Sequence, residues 1–214
     1  MSKGEQTRAT IVTQSLDLAS VVGLNALSIG TIADHTGMSK SGLFAHFGSK
    51  EALQLAVLDA AEERFVDIVV RPAFRAQRGI ARLRALFEQG LGWDKRWAGR
   101  GGCIFKASES EFDDQPGPVR DRLVEAQRKW RETILGAIHG AIKTGEFPPD
   151  LDCEQFAHDC QGIGLAFVHA SRLMRDPNAR ARAARAFETL LQGCRAPGRA
   201  ASLPSAAASS GRRR

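Results

Sequence analysis

The stretch of sequence that decides the fold is residues 27–53, which read LSIGTIADHTGMSKSGLFAHFGSKEAL. Two short helices fit this stretch, because Ser28 and Ser39 can each cap a helix N-terminus and Gly37 permits a tight turn between them. The small and apolar residues that would form their shared core are Ile32, Ala33, Met38 and Leu43. Two such helices packed on a preceding helix form a helix-turn-helix, which presents its second helix to the major groove of DNA.

The same segment resembles the DNA-binding signature of the TetR family of regulators. The matching residues are Leu27-Ser28, Ile32-Ala33, Gly37-Met38-Ser39-Lys40, Leu43-Phe44, His46-Phe47, Ser49-Lys50-Glu51 and Leu53. The resemblance is detailed over about residues 8–55, and it includes the short recognition helix of that family. It implies a homodimeric, sequence-specific transcriptional repressor that a small-molecule effector releases from a palindromic operator in double-stranded DNA.

The resemblance also implies which side chains meet DNA. The N-terminus of the helix that Ser28 caps would face a phosphate of the DNA backbone. Lys40 could pair with guanine or with a phosphate. Phe44 departs from the family pattern, because the usual tyrosine there carries a hydroxyl that reaches a phosphate. Two alternatives to DNA contact stay open: Lys40 could be a solvated surface charge, and His46 could be a packed structural histidine. The predicted DNA-contacting residues are Ser28, Thr31, Ser39, Lys40, Ser41, Gly42, Phe44, His46 and Lys50.

The rest of the chain shows helical spacing and poor strand signals, which predicts an all-α fold of about nine helices. Helices are expected at about 5–22, from Ser28 to the Gly37 turn, from Ser39 to Gly48, and at 49–70, 79–91, 102–112, 117–145, 152–175 and 177–193. The long helix at 49–70 should break at Arg71-Pro72. We predict three segments: a DNA-binding head at 1–50, a helical ligand-binding and dimerisation domain at 51–194, and a disordered tail at 195–214.

The net charge of +6 comes from the tail and does not itself indicate DNA binding. The tail has no acidic residue, and the bases and acids of residues 1–194 nearly balance. The tail could add affinity for phosphates or could be an inert end. Its arginines are Arg195, Arg199, Arg212, Arg213 and Arg214.

A monomer with such a short recognition helix reads few base pairs, so function requires a dimer. Apolar stripes on the last two long helices predict a four-helix bundle across a two-fold axis. The alternative is that both stripes belong to the core of one chain. The predicted interface residues are Phe156, Cys160, Gly164, Phe167, Phe187, Leu190 and Leu191.

Aromatic residues are concentrated in the middle of the chain, where they could line an apolar effector pocket. Effector binding would then move the helix at 49–70 as a lever and change the separation of the two heads. The predicted pocket residues are Trp93, Trp97, Cys103, Phe105, Phe112, Trp130, His139, Phe167 and His169.

Other classes of protein find less support in the sequence. Cys103 could act as a redox sensor, and an enzyme could use Cys103 or Cys160 as nucleophile, but no cysteine has a neighbouring His/Asp pattern. Cys153, His158 and Cys160 do not share one helical face, so we predict no metal site, no cofactor and no enzymatic activity. With no apolar run long enough to cross a membrane and no signal peptide, we expect a cytoplasmic protein that does not associate with membranes.

Overall fold

The computed structural model describes residues 2–96 and 101–195, and within these ranges all regular secondary structure is helical. This confirms the predicted all-α fold. The helices are α1 (Lys3–Val22), α2 (Ile29–Thr36), α3 (Lys40–Phe47), α4 (Lys50–Phe65), α5 (Arg71–Ala73), α6 (Ile80–Gly90), α7 (Trp93–Arg96), α8 (Ile104–Phe112), α9 (Pro118–Lys143), α10 (Cys153–Val168) and α11 (Ala179–Gly193). Two π-helical turns, Val66–Val70 and His169–Leu173, continue α4 and α10.

The caps of the first helices follow from the serines and glycines of the sequence. The Ser28 hydroxyl accepts a hydrogen bond from the Thr31 amide at 3.0 Å, and the Ser39 hydroxyl accepts one from the Gly42 amide at 3.1 Å. Gly37 has a φ of 69°, in the left-handed region that glycine tolerates best. These features fix α2 and α3 as two short helices joined by a tight turn.

The long helix ends one residue after Pro72, close to the break predicted at Arg71-Pro72. The helix passes through the π-helical turn, where the Arg71 amide donates to the Val66 carbonyl, and continues to Ala73. Pro72 lies in the last turn of this helix, where it lacks an amide hydrogen to donate, and the helix ends one residue later. The result is a single helical rod from Lys50 to Ala73 that connects the head to the body.

Buried apolar side chains form two cores. The first contains side chains of α1 to α4 and continues into α8 and α9, so it joins the head to the body. The second lies between α6, α9, α10 and α11. Trp130 of α9 packs against both cores. Because the first core spans both segments, the predicted boundary near residue 50 does not separate two independent cores.

No helix within the described ranges has the length and apolar character that a membrane span requires.

Candidate nucleic-acid interface and ligand cavity

The head exposes one polar surface made by α2 and α3. Its buried side carries Ile32, Ala33, Leu43 and Phe47, which fill the first core. The opposite side carries the predicted DNA-contacting residues. Thr31, Ser39, Lys40, Ser41, Phe44 and Lys50 are exposed, whereas Ser28, Gly42 and His46 are half-buried. Their DNA contacts stay predictions, and all nine lie between Ser28, the cap of α2, and Lys50, the first residue of α4.

The N-terminal ends of α2 and α3 give this surface a local positive character, because the first amides of a helix carry partial positive charge. Lys40, the first residue of α3, adds a full charge. A β-carbon at Gly30 would lie 3.9 Å from Lys40 Nζ, so the ammonium group lies beside the first turn of α2. Two helix N-termini and one lysine therefore face the same space, which suits a phosphate or a base edge.

The structure gives Lys50 a contact that sequence analysis missed. Its Nζ donates to the backbone carbonyl of Asn25 at 2.6 Å and to Asn25 Oδ1 at 3.2 Å. Lys50 thus holds the loop between α1 and α2, and its predicted contact with DNA stays a prediction. Arg8 was also missed: its guanidinium lies 5.0 Å from the centre of the Phe47 ring, which places another cation beside α3. Both contacts join residues far apart in sequence, so no local pattern indicates them.

Phe44 is 58% exposed on the outer side of α3, so its ring is not part of the buried core. Its exposure is consistent with the position of a tyrosine that would face DNA. Without the hydroxyl, the hydrogen bond to phosphate that the resemblance implies at this position is absent.

A cavity lies in the body between the long rod, α6, α9 and α10. The space that the centre of a water molecule can reach measures about 160 Å³. Its aromatic wall centres on Phe65, whose ring meets Trp130 and Trp93 nearly at right angles, with centroids 5.0 Å and 5.3 Å away. Phe105 lies 6.3 Å from the same ring.

The polar part of the cavity wall contains charged groups that already have partners. Glu62 forms ion pairs with Arg122 and Lys129. Lys106 pairs with Glu109 at 3.1 Å. The remaining polar residues of the wall are neutral or bonded to backbone: Gln127, Thr133, Gln161, Ser171 and Arg172, whose Nη1 donates to the Gly101 carbonyl.

Five of the predicted pocket residues line this cavity: Trp93, Cys103, Phe105, Trp130 and Phe167. Phe112 is buried in the first core and borders a separate surface groove between α8 and α9. His139 and His169 are exposed and do not line the cavity, because their helical positions face outward, so their prediction is corrected. Trp97 lies outside the described residues. The tail arginines Arg199, Arg212, Arg213 and Arg214 lie outside them too. Sequence analysis missed Phe65, Lys106 and Glu62, which carry no motif.

The predicted dimer interface needs correction. Phe156, Phe187 and Leu191 are at most 2% exposed within one chain, and Cys160 is buried too. The Phe187 ring stacks on Phe87 with centroids 4.0 Å apart. Leu190 is half-buried against the second core, and Gly164 and Phe167 line the cavity. Phe156, Cys160, Phe187 and Leu191 therefore belong to the core of one chain, because helical periodicity identifies a buried face but not the surface that covers it. The interface role of Gly164, Phe167 and Leu190 stays a prediction.

A different face of α10 is exposed. It runs along Gly162, Leu165 and Ala166 to Leu173 and Met174. Leu165, Leu173 and Met174 are 48%, 72% and 64% exposed, which is unusual for large apolar side chains. Apart from the backbone of its own helix and its chain neighbours, no atom of the described residues lies within 4 Å of a β-carbon built on Gly162, so another helix could approach there.

The cysteines are poorly suited to nucleophilic or redox chemistry. Burial raises the pKa of the Cys103 thiol above its usual value, and burial raises that of Cys160 to about 12. Both are therefore protonated at neutral pH, whereas the thiolate is the reactive form. Among residues 2–96 and 101–195, no group of three or more His, Cys, Asp or Glu side chains could hold a metal ion.

Helix α8 connects the cavity to the head. Its N-terminal part supplies Phe105 and Lys106 to the cavity wall. Nearer its C-terminus, a Glu111 carboxylate oxygen accepts a hydrogen bond from the Asn25 amide at 2.8 Å. Just before α8, the Gly102 amide donates to the Ser20 carbonyl of α1 at 3.1 Å. The loop before α2 is thus held by α8 on one side and by Lys50 on the other.

Comparisons with known proteins agree with these features. A model described as "Bacterial regulatory proteins, tetR family" matches residues 11–57, and one described as "Tetracyclin repressor-like, C-terminal domain" matches residues 79–187. The solved TetR transcriptional regulator from Chloroflexus aurantiacus J-10-FL is 27% identical, with a TM-score of 0.80 over 91% of this chain and 99% of that chain.

Two further relatives are more distant in sequence. The HTH-type transcriptional regulator SrpR of Pseudomonas putida is 19% identical over 186 residues, which are 83% of this chain and 81% of SrpR. AibR, solved in complex with isovaleryl coenzyme A and operator DNA, is 19% identical with a TM-score of 0.67, and the match covers 87% of this chain and 97% of that one. The matches to both models, of which the C-terminal one alone spans half of the sequence, confirm that the chain belongs to the TetR family of bacterial transcriptional regulators.

Proposed function

We propose that the protein is a homodimeric repressor that binds a palindromic operator with α2 and α3 and leaves it when a small molecule enters the cavity. The head at residues 1–50 would read DNA, and residues 51–194 would bind the effector and the second subunit. Support comes from the exposed polar face of the head and the aromatic cavity in the body. AibR, a protein of this fold, has been solved with both an acyl-coenzyme A and operator DNA, which is the pair of ligand types that the proposal requires. Because chromosomal DNA is the target, the protein would act in the cytoplasm.

The exposed face of α10 is the surface that we assign to the dimer. Leu165, Leu173 and Met174 would be buried against the same face of a second subunit, with Gly162 and Ala166 allowing close approach of the helices. This replaces the buried residues that the sequence pattern suggested. Dimerisation places two short recognition helices on one DNA duplex, which gives a site long enough for specific binding.

The single observation that carries the proposal is the bond from Asn25 to Glu111, because it joins a helix of the cavity wall to the loop that positions α2. Gln54 adds a buried contact to the same loop, since its side-chain amide donates to the Leu24 carbonyl at 2.9 Å. An effector that displaces α8 would therefore displace the loop. The rod from Lys50 to Ala73 is predicted to move as a lever, and this motion would change the position of the same head that the loop shift affects.

The proposed function is tested by selecting DNA sequences from a random pool with the purified full-length protein. We expect an inverted repeat with half-sites centred about 10 base pairs apart or a multiple of that spacing, because two-fold symmetric dimers contact successive major grooves on one side of the duplex. Enrichment of a single, non-repeated element, or no enrichment at physiological salt, would contradict the proposal.

Removing the carboxylate with Glu111→Ala is expected to loosen the loop before α2. A hydrogen bond to a charged group contributes about 1.5–3 kcal/mol, so the amide of Asn25 should exchange its hydrogen about 10-fold faster or more. Hydrogen exchange resolved at residues 23–28 measures this. The matched control is Asp113→Ala, which removes an exposed carboxylate at the end of α8 that accepts a hydrogen bond from the neighbouring Asp114 amide. Equal exchange in both variants would refute the coupling of α8 to the head.

We infer no enzymatic activity, in keeping with the family of regulators to which the chain belongs. The raised pKa values of Cys103 and Cys160 argue against a thiolate nucleophile and also against the redox alternative.

A further inference from the structure

We propose that the cavity binds a small, uncharged molecule built on a single aromatic ring with one hydrogen-bonding group. The inference rests on the proposed function in so far as this molecule is the effector. It follows from three properties of the cavity: its size, its aromatic wall and the pairing of its charged groups.

The size of the cavity limits the ligand to about one ring. Its volume of about 160 Å³ is close to that of an engineered apolar protein cavity of about 150 Å³ that binds benzene. The apolar character of most of the wall favours a ligand that is itself mainly apolar.

The aromatic wall favours a ring over an aliphatic group. Phe65 meets Trp93 and Trp130 edge to face, at interplanar angles of 87° and 89°. Edge-to-face and offset contacts between aromatic rings contribute about 0.5–1.5 kcal/mol beyond the burial of area. A planar ligand ring can extend this arrangement, whereas a saturated ring of similar size gains only the burial.

The charges of the wall favour a neutral ligand. Glu62 is paired with Arg122 and Lys129, and Lys106 is paired with Glu109. Arg172, the other cation of the wall, donates to the Gly101 carbonyl. A carboxylate or ammonium group on the ligand would therefore enter a mainly apolar site whose charged groups already have partners, and burying an uncompensated charge is costly. The neutral side chains of Gln127, Thr133, Gln161 and Ser171 remain for a hydroxyl or carbonyl.

The inference is tested with four probes of similar size and different chemistry. Benzyl alcohol is neutral and aromatic, benzoate is its anionic counterpart, benzylammonium its cationic counterpart, and cyclohexylmethanol its non-aromatic counterpart. Binding to the full-length dimer is measured by calorimetry and by the fluorescence of the tryptophans. We expect benzyl alcohol to bind at least about 10-fold more tightly than either ion, and about 2- to 10-fold more tightly than cyclohexylmethanol.

A cavity-filling variant shows whether binding occurs in this cavity. Gly164 lines the cavity, and a β-carbon built on it lies more than 4 Å from every described atom outside its own helix backbone and chain neighbours. Gly164→Leu should therefore fill the space while keeping the helix. It should weaken the binding of benzyl alcohol at least about 10-fold. The matched control is Gly136→Leu, at an exposed position of α9 with equally open surroundings, which should leave binding unchanged.

The outcomes separate this inference from the proposed function. No binding of benzyl alcohol, equal or tighter binding of either ion, or unchanged binding in a folded Gly164→Leu variant overturns the inference. If Gly164→Leu does not fold, the comparison of the four probes on the unaltered protein still decides the charge preference. Operator affinity is measured in parallel: benzyl alcohol that binds as expected without lowering operator affinity contradicts release by an effector and leaves the ligand class standing.

Discussion

Replacing Lys40 with glutamate is expected to lower the affinity for operator DNA by at least about 30-fold. The substitution removes one cation from each head and places an anion beside the N-terminal ends of α2 and α3, where DNA phosphates or guanine edges would lie. Each good lysine contact of this kind contributes about 1–3 kcal/mol, and a dimer loses two of them. The melting temperature should stay nearly unchanged, because Lys40 is exposed.

The measurement is a titration of a fluorescently labelled operator at several salt concentrations. Lys143→Glu is the matched control, since it changes the net charge by the same amount at an exposed position at the end of α9. It should alter operator affinity far less than Lys40→Glu. If both variants weaken binding equally, the effect of Lys40 is a general one of net charge and the assigned contact is wrong.

Replacing Phe187 with alanine is expected to lower the free energy of unfolding by about 3–5 kcal/mol, the cost of deleting a buried aromatic ring. The ring is 2% exposed and stacks on Phe87 at an interplanar angle of 4°. Denaturant titration measures this loss. Because dimers are stabilised by protein concentration, the titration is repeated at two concentrations.

Leu173→Ala serves as the contrasting variant. This side chain is 72% exposed in one subunit, so its loss should barely affect the packing of that subunit and should instead promote dissociation of the dimer on dilution. Sedimentation measures the dissociation. If the Phe187→Ala protein stays fully folded but becomes monomeric, Phe187 lies in the dimer interface and the assignment of the interface to the face that contains Leu173 is wrong.

The head is the part that could be predicted best from the sequence, because its structure depends on local chemistry. Ser28 and Ser39 cap the helices that follow them, and Gly37 takes the left-handed conformation that its turn requires. Each of these features involves residues at most three positions apart. A cap or a turn of this kind can be recognised without knowing what the segment packs against.

The body was predicted less well, because its features depend on contacts between distant segments. The apolar spacing of Phe156 and Phe187 correctly marks buried faces, but only the packed structure shows that α6 and α9 cover them and that a partner does not. Phe65 was missed for the same reason. It lies on the long rod, and its place in the cavity wall is set by Trp93 and Trp130, which lie 28 and 65 positions further along the sequence.

The two π-helical turns also have a mechanical consequence. Both border the cavity, through Val66 and Val70 on one side and Ser171 and Arg172 on the other. Each holds one residue more than an ordinary turn, and return to ordinary spacing would advance the adjoining segment by about 1.5 Å and rotate it by about 100°. A ligand the size of one ring that favours one spacing over the other would thus change the axial position and the rotation of the whole helix that adjoins the cavity.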